Sequence, residues 1–272
     1  MVTRQAYSAG IQTDTRAGGY CRRCGKEHWL GSGDTIALAL QLMHQFQEHC
    51  TIDLFSPPST GDEALQLDYL FGPARGKMFG LMECRADDGT VVVLRAFSGQ
   101  YNGRWLVEGW APPLFEVDDF ITLTYTREKK IKQLGTLIDQ SRRHSQPWQL
   151  LRKKRRRLSQ ELMQDIHALY SVSNFRGETV SLKEAFTGMS GIPTGTGDCC
   201  APKLLNFAAR NHLYPLGICE FYWGRENRSN SHRHGTFTSS CREKCAPVLG
   251  FMLCGLKNGG SADDTTADGQ NQ

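Results

Sequence analysis

"TGTGDCCAPKLLNFAA" (residues 194–209) is a glycine-rich loop that runs straight into a helix-forming stretch, with an acid and two adjacent cysteines at the junction. A helix N-terminus leaves N–H groups unpaired and carries a partial positive charge, which favours a thiolate or a bound anion. Asp198, Cys199 and Cys200 therefore admit two readings. Asp198 can serve as an N-cap, with the cysteines as small apolar core residues. Alternatively, the trio belongs to a metal site or holds a nucleophile. The segments on either side set the fold around this junction.

Downstream lie a strand, "YPLGICEFYWG" (214–224), a charged loop (225–239) and a helix, "CAPVLGFMLCG" (245–255). Upstream, "GDTIALALQLMHQFQEHC" (33–50) spaces Ile36, Leu38, Leu42, Met43 and Phe46 as one helix face behind an Asp34 cap. "FSPPSTGDEA" (55–64) reads as a loop, and 76–100 as two apolar runs joined by "DDG", a strong hairpin signal. From about 118 to 170 the pattern is helical, with Ile131, Leu134, Leu137 and Ile138 on one face. "SQP" (145–147) turns the chain into a second helix carrying Leu151, Leu158, Leu162, Ile166 and Leu169. The pair predicts an antiparallel helical hairpin.

With that hairpin set aside as an insertion, the order is helix, strand, strand, helix, strand, helix. It predicts an α/β (α+β) fold: a three-layer-like mixed sheet covered by helices, within one domain over 20–256. The two later helices both begin at cysteines, so the fold should bring Cys199 or Cys200 close to Cys241 and Cys245. Residues 1–19 and 257–272 are polar and are expected to be disordered. No internal repeat is evident.

At 272 residues the chain is long enough to bury a sizeable core. The opening stretch MVTRQAYSAG has no apolar h-region, and no run approaches 18 apolar residues, so neither a secretion signal nor a membrane span is expected. Ten cysteines then read as reduced thiols of a cytoplasmic protein. Cys50, Cys84, Cys219 and Cys254 are isolated and read as packing residues. The others cluster.

Zinc accepts thiolates from helix starts, and catalytic zinc commonly has three protein ligands plus a water. Cys199 (or Cys200), Cys241 and Cys245 make one such set; buried packing is the alternative. "CRRCGKEH" offers a second, with Cys21, Cys24 and His28 at knuckle spacing and His49 or Cys50 as the expected fourth ligand. Asp198 and Glu220 are the candidate proton carriers near the first set. "LRKKRRRL" (151–158) places six consecutive cations, Arg152, Lys153, Lys154, Arg155, Arg156 and Arg157, beside Trp148. Such a run is either a solvated helix face or a phosphate-contact surface for RNA. The glycines of "GIPTGTGD" lack the Lys–Ser/Thr pair of a nucleotide-triphosphate loop.

Two resemblances follow. The element order is similar to that of the zinc nucleobase deaminases, which take a His or Cys at one helix start and a cysteine pair at the next. This chain departs from them in having C-x3-C and no glutamate two residues after the first ligand, where Ala201 or Pro202 stands. "GKMFGLMEC", "RAFSGQ", "PPLFEV", "GTGDCCAPKLL", "EFYWG" and "SCREKCAPVLGFMLCG" together resemble the N-terminal extension of bacterial RluA-type rRNA pseudouridine synthases, over about residues 68–256. The run Gly195 to Gly224 is the most specific. The synthase domain's H-R-L-D-type motif does not occur, so the resemblance implies the extension and not the synthase. It carries Cys199, Cys241 and Cys245 over as the matching positions of its G-[DE]-C and C-x3-C segments. The expectation is a zinc-binding accessory module of RNA modification, contacting RNA (rRNA by resemblance) or docking on a separate pseudouridine synthase. The alternative is a zinc-dependent, deaminase-like enzyme acting on an RNA base or nucleotide.

Overall fold

The computed structural model describes residues 15–56, 61–189 and 191–256. Its centre is a four-stranded sheet in the order β4-β3-β7-β8, formed by β3 (Lys77–Arg85), β4 (Val91–Phe97), β7 (Tyr214–Trp223) and β8 (Phe237–Thr238). The β3–β4 hairpin turns where "DDG" predicted, with Gly89 at φ 87 and the Ala86 N–H donating to Thr90. Every pairing in the sheet is antiparallel, so the mixed sheet expected from the sequence is corrected. The deciding pairing is that of β7, which runs antiparallel to the central strand β3, and β8 adds a further antiparallel strand at its outer edge.

Side chains alternate across the sheet and define two cores. Phe79, Leu81, Phe97, Phe221 and Trp223 face α1 (Thr35–His49), whose Phe46 sits among their rings. Met82, Cys84, Ala96 and Ile218 face α5 (Cys200–Arg210) and α6 (Ala246–Met252). The result is three layers: α1, the sheet, then α5 with α6. Gly80 permits the closest approach, since a Cβ there would stand 2.6 Å from the Cys200 Cβ.

The insertion is a pair of 24-residue helices, α2 (Val117–Gln140) and α3 (Gln146–Leu169), joined across Ser145, whose side chain accepts from the Trp148 N–H. Each is about 36 Å long at 1.5 Å per residue. Phe115, Phe120, Trp105 and Tyr170 clamp the base of the pair to the domain.

Three short elements had no strong sequence signal: β5 (Ser171–Ser173), β6 (Thr179–Ser181) and α4 (Leu182–Ala185), the last opened by a Ser181–Glu184 capping box. The N-terminal stretch is a larger difference. β1 (Arg16–Cys21) and β2 (Lys26–Gly31) form a hairpin laid against α6. Residues 16–19 are therefore strand: Gly19 lets the backbone lie directly on the Ala246 carbonyl, and Gly18 leaves room for the Trp29 ring of β2. The disorder expected for 1–14 and 257–272 falls outside the described residues.

Candidate metal centres and the basic helical hairpin

The β1–β2 hairpin turns through Cys21–Arg22–Arg23–Cys24–Gly25, with Gly25 at φ 70 and its N–H donating to the Cys21 carbonyl. That tight turn points Cys21 and Cys24 the same way, and β2 adds His28, whose Nε2 lies 3.0 Å from the Cys24 Sγ. The fourth member is Cys254, just past α6. The ligand atoms of Cys21, Cys24, His28 and Cys254 all lie within 4.8 Å of one another, a set that could hold a metal ion. Among the described residues this is the group of three or more ligand-type side chains that meets that spacing.

His49 and Cys50, expected as fourth ligands, instead end α1 as exposed residues on the far side of the sheet. Cys254 is thus a correction in turn: it is buried, but as part of the cluster rather than as plain packing. Burial works to raise the Cys24 thiol, yet the Lys26 N–H and the neighbouring Cys254 and Cys21 thiols outweigh it and lower it. Burial, with Arg176 and Lys26 nearby, lowers His28, favouring the neutral imidazole that a metal takes. Zinc fits this donor set of three sulfurs and one nitrogen.

The second set is looser. Cys199 is the N-cap residue of α5 and Cys245 that of α6, and the Cys245 thiol lies near those of Cys199 and Cys241. Asp198 is not the cap: its Oδ1 accepts the Tyr170 hydroxyl proton at 2.6 Å, and its carbonyl accepts the Gly99 N–H. Cys200 points away into the core and donates to the Met78 carbonyl, with burial pushing its thiol far up. The structure therefore brings Cys199, not Cys200, to the pair.

The Cys241 thiol is pulled down to about 5 by the Cys245 thiol first, against burial, and by the backbone N–H groups of Lys244, Glu243 and Cys245. Glu220 lies on the α5 face of β7, opposite Gly80, and its Oε1 accepts the Ala201 N–H at 2.9 Å. Burial raises that carboxyl to about 7. The cavity against Glu220 measures about 10 Å³.

Arg152, Lys153, Lys154, Arg155, Arg156 and Arg157 are all exposed on α3. Arg152 stacks 4.5 Å from the Trp148 ring, and Arg157 pairs with Glu161 one turn on. Arg127 of α2 pairs with Asp165 nearer the base. From Val117 to Leu169 the hairpin holds twelve Lys and Arg against six Asp and Glu, a net +6 where the whole chain carries +4. No described helix is long and apolar enough to cross a membrane. Compared with family models, curated proteins and solved structures, the chain matches none.

Proposed function

We propose that this chain is a zinc-binding RNA-binding module of RNA modification, related to the extension of the RluA-type pseudouridine synthases, working on RNA and beside a separate synthase. The observation that carries it is the helical hairpin. It is a long excursion from the core whose net charge exceeds that of the entire protein, with six adjacent cations exposed together. Cations so arranged bind phosphates without reading sequence. Trp148, half-buried beneath Arg152, adds an aromatic face at the tip. Zinc at Cys21, Cys24, His28 and Cys254 braces the domain from which the hairpin extends, and a second zinc at Cys199, Cys241 and Cys245 would join the starts of α5 and α6.

The deaminase-like enzyme is a second reading, favoured by one observation. A hairpin, a helix, a strand antiparallel to the first and a further helix place Cys199 beside Cys245 on one face of the sheet, with α1 on the other. The space around its proton carriers weighs against it. Asp198 is held by Tyr170, and the cavity at Glu220 has room for about one water molecule rather than a base. The geometry supports a bracing role for the metals.

The test is charge reversal at Lys153, Arg155 and Arg156. Affinity for structured RNA should fall uniformly across sequences, and the slope of log K against log salt should flatten by roughly two to three. Parent-like affinity and slope in a folded variant would reduce the run to a solvated face. Turnover of cytosine- or adenine-containing RNA by the parent would favour the enzyme reading instead.

A further inference from the structure

On the α1 side of the sheet, away from both cysteine sets, lies a cavity of about 340 Å³ lined by Gln45, His49, Asp53, Phe55 and Arg95, among others. That volume lies in the range of small-molecule sites, about 300–1,000 Å³. Arg95 comes from edge strand β4 and is half-buried. Its one hydrogen bond is a long one, Nη1 to the Val93 carbonyl at 3.4 Å, and its buried Nε has no partner.

Nor does Arg95 have a counter-ion. No carboxylate lies within 4.0 Å of it among the described residues, and burial alone depresses its pKa. The nearest acid on the cavity wall, Asp53, is committed elsewhere, its Oδ1 accepting the N–H groups of Phe55 and Ser56. A guanidinium taken partly out of water with no anion opposite is an unfavourable arrangement that a bound anion relieves. Phe55 supplies the other half of a site. Its ring lies against the Gly109 backbone, where a Cβ would overlap it, and it remains 60% exposed. A large apolar ring at the mouth of a cationic cavity is a stacking platform.

We propose that this cavity binds a single nucleotide of RNA, with its phosphate on Arg95 and its base against Phe55. The inference deepens the RNA-binding reading: the helical hairpin holds the strand through many phosphates, and the cavity takes one unpaired nucleotide. His49, at its rim, adds a ring or a second hydrogen bond to the phosphate. Unstacked bases are how proteins usually read RNA, and the volume admits one residue rather than a helix.

The experiment is titration of the full chain with 5′-AMP and 5′-UMP at low salt, followed by ligand-detected NMR and calorimetry, beside adenosine, uridine and inorganic phosphate. The nucleotides should bind, and the nucleosides and inorganic phosphate should bind at least tenfold more weakly. Arg95→Gln and Phe55→Ala should each weaken nucleotide binding by roughly tenfold to a hundredfold. Arg95→Lys, which keeps the charge, guards against misfolding and should retain part of the affinity, with thermal melts recorded for all three. The hairpin charge-reversal variant should bind the mononucleotides like the parent. Absence of nucleotide binding, equal binding by nucleosides or inorganic phosphate, or parent-like binding by folded Arg95→Gln would each overturn the site. Because long-RNA affinity is read separately on the hairpin variant, failure here and failure of the RNA-binding reading remain distinct.

Discussion

Lys203 places an amine at 1% exposure under the first turns of α5, donating to the carbonyls of Phe97 at 2.9 Å and Gly99 at 2.6 Å. The rings of Phe97 and Trp105 lie 4.9 and 5.7 Å away. Burial lowers its pKa to about 8, although Cys200 and Asp198 act to raise it. An unfolded lysine titrates near about 10.4. Between those values the unfolded chain binds a proton that the folded chain sheds, so this group makes stability rise with pH over that window. Below about 8 both states hold the proton and the burial penalty is carried in full. Lys203→Met strands two carbonyl acceptors and should lose about 1–3 kcal/mol at pH 7. Denaturant melts from pH 7 to 10 should show the gap between parent and variant widening above pH 8; a constant gap would mean an unshifted lysine. Nothing in "CCAPKLL" distinguishes this lysine from a solvated one. Its burial depends on the β4 end lying over α5, a contact more than a hundred residues away in sequence.

At the scale of elements, helix periodicity was the most legible signal. α1, α2, α3, α5 and β7 stand where their apolar spacing predicts, because each buries one face against a core that rewards that spacing. The β1–β2 hairpin was not legible. Its strands are short and carry little apolar alternation, and β1 is ordered by contact with α6 near the other end of the described chain. Gly19 and Gly250 make that contact possible: a Cβ at Gly19 would overlap the Ala246 carbonyl, and one at Gly250 the Tyr20 carbonyl. Gly250→Ala should therefore lift β1 from α6 and part Cys21 and Cys24 from Cys254. The expected result is reduced metal content together with a loss of about 1–3 kcal/mol, read by metal analysis and melts. Full metal content in that variant would show that the hairpin reaches Cys254 without the glycine seat.

Across the whole molecule, the Cys21–Cys24–His28–Cys254 cluster ties the beginning of the described chain to its end. A metal bound there closes a loop of over two hundred residues, and metal-binding free energy adds to folding free energy. Cys254→Ser should lower zinc stoichiometry by about one ion and depress the melting temperature, and chelation of the parent should reproduce most of that shift. His49→Ala and Cys50→Ser should leave both unchanged. A Cys254→Ser protein with parent zinc content would remove that residue from the site.

What the sequence determined by itself was local: the three-layer helix and strand order, the inserted hairpin with its cations, and two groups of cysteines at metal-ligand spacing. Each element of these is encoded over its own stretch of chain, by periodicity, turn chemistry or spacing. What only the tertiary structure decided was pairing over distance. It showed that Cys199 rather than Cys200 meets Cys245, that β7 runs antiparallel to β3, that Cys254 rather than His49 or Cys50 completes the knuckle, and that Arg95 meets Phe55 across a cavity. Such pairings depend on how layers pack, and packing is specified by shape complementarity among residues far apart in sequence, which no local pattern records.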